Sequence, residues 1–476
     1  MNRIVIAALL SITLIQSVLS QASDRSSGSA GDSGKAAAER VDALFAPWSK
    51  GDTPGAAVII IENGKVLFKK GYGLAHLETK VPITTDTVFR LASLTKQFTA
   101  MTVMMLAERG KIKYEDPLSK FFPKFPAYAE KITIRHLLNH LAGFPEYEDL
   151  FIKSGKIDKD WPRSAGTKPS PFEPSSKDAL AILEQVKSPD FGPGEKFRYS
   201  NSGYVILAQI VEKVSGQSFR QFLQQNIFAP LGMKRSFVND ETRPRVSNLA
   251  TSYTLKDGVY HDIDYTPVNA IYGEDNVYST IEDLYKWDQA LYTEKLVKAS
   301  TLKEAFSPGR LNDGSETSYG FGWGVSTFLG LESVAHSGSW LGFRTRILRF
   351  PAQRFTIIIL SNVAELEPNL LASKISKIYL ADKLTFPVPK HLEPRLLEEY
   401  VGRYEFSPRV TAEVSLENGE LWLKPPGQDK IRLLAESEDS FFPEGLEEMR
   451  LTFNRDGKKK VIGLSVRGGG AAQKLP

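Results

Sequence analysis

Apolar and polar positions follow the periods of helices and strands along the first part of the chain. Residues 35–45 and 95–109 carry apolar side chains at helical spacing, and the second segment has a densely apolar face. Residues 56–61 and 65–72 form β-branched or alternating runs on either side of an Asn-Gly dipeptide at 63–64. That dipeptide is typical of a two-residue hairpin turn. The pattern therefore predicts a helix, a β-hairpin and a second, buried helix, in this order.

The same reasoning predicts most of the following elements. Helices are predicted at 132–142, 178–187, 205–214, 218–227 and 282–291. Aromatic residues alternate with glycine over 319–324, which predicts a tightly packed strand, and 345–350 and 355–360 predict a strand pair. Residues 157–176 are rich in Pro, Ser, Lys and Gly and predict a long irregular loop, for which a substrate-facing role stays open.

A proline-rich stretch at 387–395 is the predicted linker between two domains. Residues 396–476 consist of short alternating runs with two hairpin dipeptides, Asn-Gly at 418–419 and Asp-Gly at 456–457. This pattern of short strands and hairpin turns predicts a small antiparallel, barrel-like β-domain. Residues 35–386 form the predicted main domain, and an apolar fraction of 42% is enough to fill a substantial core.

The N-terminus predicts export. Residues 1–22 have a basic start, an apolar run over 4–15 and a small-residue cleavage site at 20–22, which together are typical of a signal peptide. Residues 23–34 are rich in Ser, Gly and Asp and are predicted to be a flexible leader. We expect a periplasmic or secreted protein without a stable membrane anchor after cleavage. An uncleaved anchor is the alternative, and the short apolar run disfavours it.

Composition narrows the possible chemistry. The chain of 476 residues has no cysteine, which excludes disulfides and thiolate metal ligands. Its net charge of +4 is slight and spread along the chain, so nucleic-acid binding is not implied. No G-x-S-x-G motif occurs, and this disfavours an α/β-hydrolase.

Ser93 and Lys96 are the first candidates for catalysis. They stand three residues apart at the start of the predicted helix 95–109, so their side chains share one face. A hydroxyl beside an amine whose pKa is lowered by burial is a way to activate a serine. The alternatives are ordinary: Ser93 as an N-cap and Lys96 as a solvated charge. A second match to the same spacing occurs at Ser300 and Lys303.

His136 and His140 have the i, i+4 spacing of metal ligands on a helix. No glutamate follows His136 and no third ligand stands nearby, so we interpret both as structural histidines and predict no metal site.

Three motifs stand in chain order: Ser93-x-x-Lys96, Tyr199-x-Asn201 and His336-Ser337-Gly338. As an ordered set they resemble the serine β-lactamase and penicillin-binding-protein superfamily. The likeness is to the class C β-lactamase branch with its D-alanyl-D-alanine carboxypeptidase, D-aminopeptidase and esterase relatives. The resemblance implies an α+β fold in which helices flank an antiparallel sheet and an all-helical subdomain is added. The tail resembles the lipocalin-like domain often fused to such hydrolases.

The resemblance also implies roles. Ser93 is the expected acylated nucleophile, Lys96 is expected to lower its proton affinity, and Tyr199 is expected to relay the proton as general base and then acid. Asn201 is expected to orient Lys96 and the substrate amide, and His336 lies in the third motif. Ser337, Gly338 and Ser339 are expected to contact the substrate or its oxyanion. The backbone N–H groups of Ser93 and Ser339 are the expected oxyanion hole.

The third motif departs from the family pattern because β-lactamases of this branch usually have Lys-Thr-Gly there. A lysine is positively charged at neutral pH, whereas an imidazole attracts a substrate carboxylate only when it is protonated. We therefore do not expect efficient antibiotic hydrolysis. Residues 273–276, Gly-Glu-Asp-Asn, are also less glycine-rich than expected for the family.

These observations predict an exported serine hydrolase without metal or organic cofactor. It would act through a Ser93 acyl-enzyme on D-amino-acid peptides, β-lactam-like compounds or small esters. The expected partner is a small-molecule or peptide substrate, with cell-wall-derived peptides among the candidates, and the oligomeric state stays open. The alternatives are a carboxylesterase on the same fold and a penicillin-binding sensor or scaffold that does not hydrolyse.

Overall fold

The computed structural model describes residues 30–158, 170–240, 246–407, 410–466 and 470–476. Most of them belong to two compact units, which are described separately. The larger unit contains residues 31–325 and 332–379, and the smaller contains 326–331 and 380–476. The predicted signal peptide at 1–22 and the middle of the predicted loop at 157–176 lie outside the described residues.

The central feature of the larger unit is a six-stranded sheet with the strand order β10-β11-β12-β13-β1-β2. The strands up to the end of this sheet are β1 Ala56–Glu62, β2 Lys65–Tyr72, β3 Leu74–His76, β4 Val81–Pro82, β5 Phe89–Arg90, β6 Phe237–Val238, β7 Tyr253–Lys256, β8 Val259–Asp262, β9 Val277–Ser279, β10 Gly324–Phe328, β11 Leu331–Trp340, β12 Phe343–Phe350 and β13 Phe355–Ser361. Neighbouring strands from β11 through β12, β13 and β1 to β2 pair antiparallel.

The predicted first hairpin is confirmed. Asn63 and Gly64 have φ values of 52° and 77°, and they join β1 to β2. A positive φ at both central positions is what a type I′ turn needs, and Asn-Gly adopts it at low cost. Because β1 lies inside the sheet between β13 and β2, its Val and Ile side chains are buried on both faces, whereas β2 at the sheet edge is largely exposed.

Helices surround this sheet. In the larger unit the α-helices are Ala30–Leu44, Thr95–Glu108, Leu118–Phe121, Ile134–Leu138, Tyr147–Lys153, Ser176–Leu183, Asn201–Ser215, Phe219–Leu223, Ala229–Leu231, Ile281–Ala290, Ala299–Ala305 and Pro368–Tyr379. In helix Thr95–Glu108 every residue from 95 to 106 is buried, as its apolar sequence predicts. Phe98 of this helix packs against Trp287, with 4.4 Å between ring centroids. The helix that begins two residues after Ser93 is therefore the centre of the core.

Two predictions about local structure are wrong. The helix predicted at 132–142 ends at Leu138, because His140 adopts a left-handed φ of 61° that a helix cannot continue through. Residues 319–323 form a turn instead of a strand, closed by a hydrogen bond from the Gly320 N–H to the Trp323 carbonyl. In this turn a Cβ on Gly322 would lie 2.7 Å from the Lys96 carbonyl oxygen, so glycine lets the turn reach the central helix.

The smaller unit contains a closed barrel, which confirms the predicted all-β fold after the linker. Its eight strands are β14 Gly402–Ser407, β15 Val410–Glu417, β16 Glu420–Lys424, β17 Ile431–Ala435, β18 Ser440–Pro443, β19 Leu451–Arg455, β20 Val461–Val466 and β21 Ala471–Lys474. Strands β14 and β21 pair and close the barrel. Helix Pro394–Leu397 precedes it, and an aromatic cluster of Tyr400, Tyr404, Phe441 and Phe453 fills its core.

In the described part of the chain, no helix combines the length and the apolar character that crossing a membrane requires.

Candidate active site

Ser93 lies in a tight turn between a short strand and the central helix. Strand β5 ends at Arg90, a 3-10 turn covers Ala92–Leu94, and the helix begins at Thr95. Ala92 has a φ of 51°, a left-handed conformation that is uncommon for alanine and marks a backbone held by its surroundings. The Leu91 carbonyl oxygen accepts a hydrogen bond at 2.7 Å from Thr345 Oγ1, which ties this turn to strand β12.

Lys96 is completely buried one turn after Ser93. Its Nζ donates three hydrogen bonds: to Ser93 Oγ at 3.1 Å, to Asn201 Oδ1 at 2.9 Å and to the Glu274 carbonyl oxygen at 2.9 Å. An ammonium group has three protons, so this set uses all its donors. The alternative of a solvated surface charge is therefore excluded for Lys96.

Two acidic neighbours, Tyr199 and Glu274, raise the pKa of Lys96. Burial lowers the pKa of Lys96, but the Tyr199 oxygen and the Glu274 carboxylate outweigh it, so the net direction is upward. The Glu274 Oε2 atom lies 3.6 Å from Lys96 Nζ. The sequence pointed to burial as the dominant effect, and it did not reveal the carboxylate beside the amine.

Tyr199 comes to the same place from the segment before helix Asn201–Ser215. Its hydroxyl interacts with both Lys96 and Ser93, and these interactions oppose the rise in the Tyr199 pKa that burial causes. Lys96 Nζ lies 4.8 Å from the centre of the Tyr199 ring. Asn201 is the first residue of the helix, and its backbone N–H donates to Glu146 Oε2 at 2.9 Å.

The third motif lies on strand β11 at the edge of the same site. His336 Nε2 is 2.8 Å from the Tyr319 hydroxyl, and its Nδ1 is 2.7 Å from the Ser337 carbonyl oxygen. The carbonyl can only accept, so the neutral ring carries its proton on Nδ1. Burial and the positive charges of Lys96 and Arg346 lower the pKa of His336 to about 3. His336 is therefore neutral at physiological pH.

The rest of this motif passes close to the Ser93 turn. A Cβ on Gly338 would lie 2.3 Å from the Leu91 carbonyl oxygen, closer than any side-chain carbon can come. Glycine at this position lets the strand pack against the turn that carries Ser93. Ser337 is half-buried and Ser339 is exposed on the same strand, and Ser93 is half-buried. All eight residues that the motifs singled out thus lie on segments that border one site.

Sequence reasoning missed the acidic residues below the site. The pKa of Glu274 is raised to about 8 and that of Glu146 to about 7, in both cases mainly by burial. The Tyr147 hydroxyl donates to Glu274 Oε1 at 2.8 Å. The only signal in the sequence was the unusual Gly-Glu-Asp-Asn at 273–276, because nothing local to Glu146 or Tyr147 indicates that a lysine lies nearby.

The other candidates from the sequence have ordinary structural surroundings. His136 completes a capping box with Thr133, and His140 Nδ1 accepts a hydrogen bond from the Ser200 N–H at 3.1 Å. The described residues contain no group of His, Asp and Glu side chains suited to a metal ion. Ser300 and Lys303 are exposed on helix Ala299–Ala305.

A serine hydroxyl, a buried lysine, a tyrosine and a neutral histidine at the junction of a helix and an antiparallel sheet define the class of serine hydrolases that includes β-lactamases and penicillin-binding proteins. Comparison with known families agrees with this class. Residues 37–375 match the Beta-lactamase family, and residues 387–473 match a domain of unknown function, DUF3471. The chain belongs to the Beta-lactamase family and is a serine hydrolase of the β-lactamase and penicillin-binding-protein type.

Similar proteins carry related names. The chain is 33% identical over 427 residues to "Penicillin-binding protein 4*" of Bacillus subtilis (strain 168), a match that covers 85% of this chain and 91% of the relative. It is 25% identical to a "D-aminopeptidase" of Gluconobacter oxydans (strain 621H), over 65% of this chain and 56% of that relative. The octameric penicillin-binding protein homologue from Pyrococcus abyssi has a TM-score of 0.62 and 25% identity, covering 92% of this chain and 99% of that one.

Proposed function

We propose that this protein is an exported hydrolase that cleaves amide or ester bonds through an acyl-enzyme on Ser93. The observation that carries the proposal is the buried amine of Lys96, which donates both to Ser93 Oγ at 3.1 Å and to Asn201 Oδ1 at 2.9 Å. This contact holds the amine of Lys96 against the nucleophile, and the Tyr199 hydroxyl interacts with both groups, so the proposed proton-transfer pair lies beside Ser93.

The arrangement supports a two-step reaction. In acylation the Ser93 oxygen bonds to the substrate carbonyl carbon while its proton passes to the Tyr199 and Lys96 pair. The bond to the leaving group then breaks, and the leaving group takes that proton from Tyr199. In deacylation a water molecule gives one proton to the same pair while its oxygen bonds to the acyl carbon. The bond between the acyl carbon and the Ser93 oxygen then breaks, Ser93 takes that proton from the pair, and the acyl group leaves as a carboxylic acid. Backbone N–H groups of Ser93 and Ser339 are the proposed donors to the oxyanion.

The substrates that we propose are D-amino-acid peptides, β-lactam-like compounds or small esters. The names of the relatives, a penicillin-binding protein and a D-aminopeptidase, support the first two classes. His336 is neutral and offers no positive charge to the carboxylate of a β-lactam. We therefore favour peptide or ester cleavage over efficient β-lactamase activity. A small-ester preference would make the protein a carboxylesterase, and stable acylation without turnover would make it a penicillin-binding sensor.

Labelling of Ser93 tests the proposal. We expect a fluorophosphonate or a fluorescent penicillin to label the wild-type protein and not Ser93→Ala, whereas Ser300→Ala, which removes the other Ser-x-x-Lys serine, labels normally. Loss of the label over minutes, together with turnover of p-nitrophenyl esters or D-amino-acid amides, indicates a hydrolase. A label that persists indicates a sensor, and no label with either reagent contradicts acyl-enzyme chemistry.

Export is proposed from residues 1–22 alone. The mass of the mature protein from its native host tests it, and we expect an N-terminus close to residue 23. A mature chain that still begins at Met1 would contradict cleavage.

A further inference from the structure

Phe197 is an exposed phenylalanine two residues before Tyr199. Its side chain has a fractional exposure of 38%, whereas Tyr199 is half-buried. The chain between them is extended, because the N–H groups of Arg198 and Ser200 both donate to His140, the first to its carbonyl oxygen at 3.0 Å and the second to its Nδ1 at 3.1 Å. Side chains two residues apart in an extended chain lie on the same side. Phe197 and Tyr199 therefore share one side of this segment.

The surroundings of Arg198 agree with this alternation. Its Nη2 lies 2.6 Å from Asp190 Oδ2 and donates to the Phe144 carbonyl oxygen at 2.7 Å. The guanidinium also lies over the Phe191 ring, 5.0 Å from the ring centre. The positive charge of Arg198 is therefore engaged on the side of the segment opposite to Phe197.

Two buried rings of the active site connect Phe197 to Tyr199. The ring centre of Tyr319 lies 6.1 Å from that of Phe197 and 6.0 Å from that of Tyr199. The ring centre of His140 lies 6.2 Å from that of Phe197 and 4.2 Å from that of Tyr199. His336 extends the group, with its ring centre 5.6 Å from that of Tyr319. We call these five rings the aromatic wall, and Phe197 is its most exposed member.

Apart from Tyr199, which takes part in the proposed proton transfer, the rings of the aromatic wall are uncharged at physiological pH. Burial lowers the pKa of His140 well below its usual value and that of His336 to about 3, so both imidazoles are neutral. Burial raises the pKa of Tyr319, so its phenol keeps its proton. The Tyr319 hydroxyl is also already paired with His336 Nε2 at 2.8 Å. Such a surface suits an apolar or aromatic group better than an ionised one.

Phe197 lies on the leaving-group side of the proposed reaction. Tyr199 is the proposed proton donor to the leaving group, so the leaving atom has to reach the Tyr199 hydroxyl. The atoms beyond it extend away from Ser93, along the aromatic wall. An apolar group there covers the exposed ring of Phe197, and removing the apolar surface of both partners from water is favourable.

We propose that the ring of Phe197, at the exposed end of the aromatic wall, binds an apolar or aromatic substituent on the leaving group of the substrate. This proposal rests on the proposed hydrolase function and makes Phe197 a specificity-determining residue. It narrows the substrates to peptides or esters whose leaving group carries a bulky apolar side chain or ring.

A series of acetate esters tests the proposal, with 4-methylphenol, 4-propylphenol and 4-tert-butylphenol as leaving groups. These phenols have nearly the same acidity, so a difference in kcat/KM reports contact with the alkyl group. We expect wild-type kcat/KM to be about tenfold higher for the two larger esters than for the smallest, as partial burial of a few methylene groups allows. Phe197→Ser should reduce this preference to less than about threefold, and Phe197→Leu should keep part of it.

Two controls separate this role from a general effect. Leu67→Ala should leave the preference unchanged, because Leu67 is 42% exposed on strand β2, four strands from β11 in the sheet. The 4-methylphenyl esters of acetate and 3-phenylpropanoate differ only in the acyl group. Their ratio of kcat/KM should be the same in the wild type and in Phe197→Ser.

Each outcome supports or overturns the proposal. A wild type without the preference, a Phe197→Ser variant that keeps it, or a change in the acyl ratio alone overturns the role of Phe197 while the hydrolase function stands. If Phe197→Ser does not fold, inhibition of the wild type decides: 4-isopropylphenol should compete with the esters and the similarly shaped 4-hydroxybenzoate should not, and equal inhibition overturns the proposal. Failure of the proposed function looks different, because no ester is then cleaved and Ser93 takes no fluorophosphonate.

Discussion

At the scale of single residues, the electrostatics of Lys96 depend on a carboxylate that belongs to a distant segment. Glu274 is 178 residues from Lys96 along the chain, yet its backbone oxygen accepts a hydrogen bond from the amine and its carboxylate lies 3.6 Å away. Burial penalises the ammonium, and Tyr199 and the Glu274 carboxylate together more than offset that penalty. The protonation states of Lys96 and Tyr199, the proposed proton-transfer pair, are therefore set by packing.

Glu274→Gln should move the pH profile of the enzyme. Glu274 has a pKa of about 8, so its negative charge is in place when Lys96, whose pKa is raised, loses its proton. Removing that charge lowers the pKa of both Lys96 and Tyr199, because the carboxylate opposes loss of a proton from either group. We expect the limb of kcat/KM that rises with pH to shift to lower pH by about one unit or more.

The measurement is kcat/KM for a p-nitrophenyl ester against pH, corrected for the uncatalysed rate. Gln keeps an acceptor for the Tyr147 hydroxyl, so the fold should tolerate the change. Glu282→Gln is the matched control, because Glu282 pairs with the half-exposed Lys69 on the surface. An unchanged profile in Glu274→Gln would show that this carboxylate has no influence on the proton-transfer pair.

At the scale of elements, the site exists because the turn before the central helix and strand β11 can approach each other. Leu91 and Ala92 form that turn, and Gly338 is the residue of β11 that faces them. Thr345 on strand β12 fixes the same turn through its hydrogen bond to Leu91. The spacing between the Ser93 turn and the third motif is therefore set by this close backbone approach together with the Thr345 hydroxyl.

Gly338→Ala should separate the two elements. The added Cβ would lie 2.2 Å from Thr345 Oγ1 and 2.3 Å from the Leu91 carbonyl oxygen, and the latter cannot move without moving the Ser93 turn. We expect a loss of about 1–3 kcal/mol in unfolding free energy from overpacking, and a Ser93 labelling rate lowered more than about tenfold. Gly457→Ala is the control, because a Cβ there meets nothing within 4 Å. Normal labelling of Gly338→Ala would refute this account.

At the scale of the whole molecule, the two units have separate cores. The larger core is built around the central helix, and the barrel is filled by its own aromatic cluster, in which Tyr400 and Phe453 stack with 4.5 Å between ring centroids. A unit with its own core can in principle unfold by itself. Every residue of the candidate site lies in the larger unit, so the proposed catalytic chemistry is assigned to that unit.

Phe453→Ala should therefore destabilise the barrel and spare the chemistry. Removing a buried phenylalanine costs about 3–5 kcal/mol, which we expect to lower the melting temperature of one of two calorimetric transitions. The rate of Ser93 labelling below that transition should stay within about twofold of the wild type, because no reacting group changes. Thr452→Ala, at an exposed neighbouring position, serves as the control. A single transition that falls together with labelling would mean that the units unfold as one.

Much of the fold was already contained in local patterns. The Asn-Gly turn at 63–64, the buried helix Thr95–Glu108 and the barrel hairpins were predicted because hairpin dipeptides and helical periodicity act over a few residues. The errors fall where distant contacts override such patterns. His140 takes a left-handed conformation that ends its helix, and the glycines at 320 and 322 serve a turn against the central helix instead of a strand.

The sequence by itself determined the order of the motifs and the types of side chain available for acyl transfer: Ser93, Lys96, Tyr199, Asn201 and His336. Only the tertiary structure decided which charged side chains lie within a few ångströms of these groups. Glu274 reaches Lys96, and Arg346 reaches Ser337, only because a loop and a neighbouring strand are packed beside them. The physical reason is that a pKa depends on burial and on charges within a few ångströms in space, whereas sequence spacing reports only neighbours along the chain.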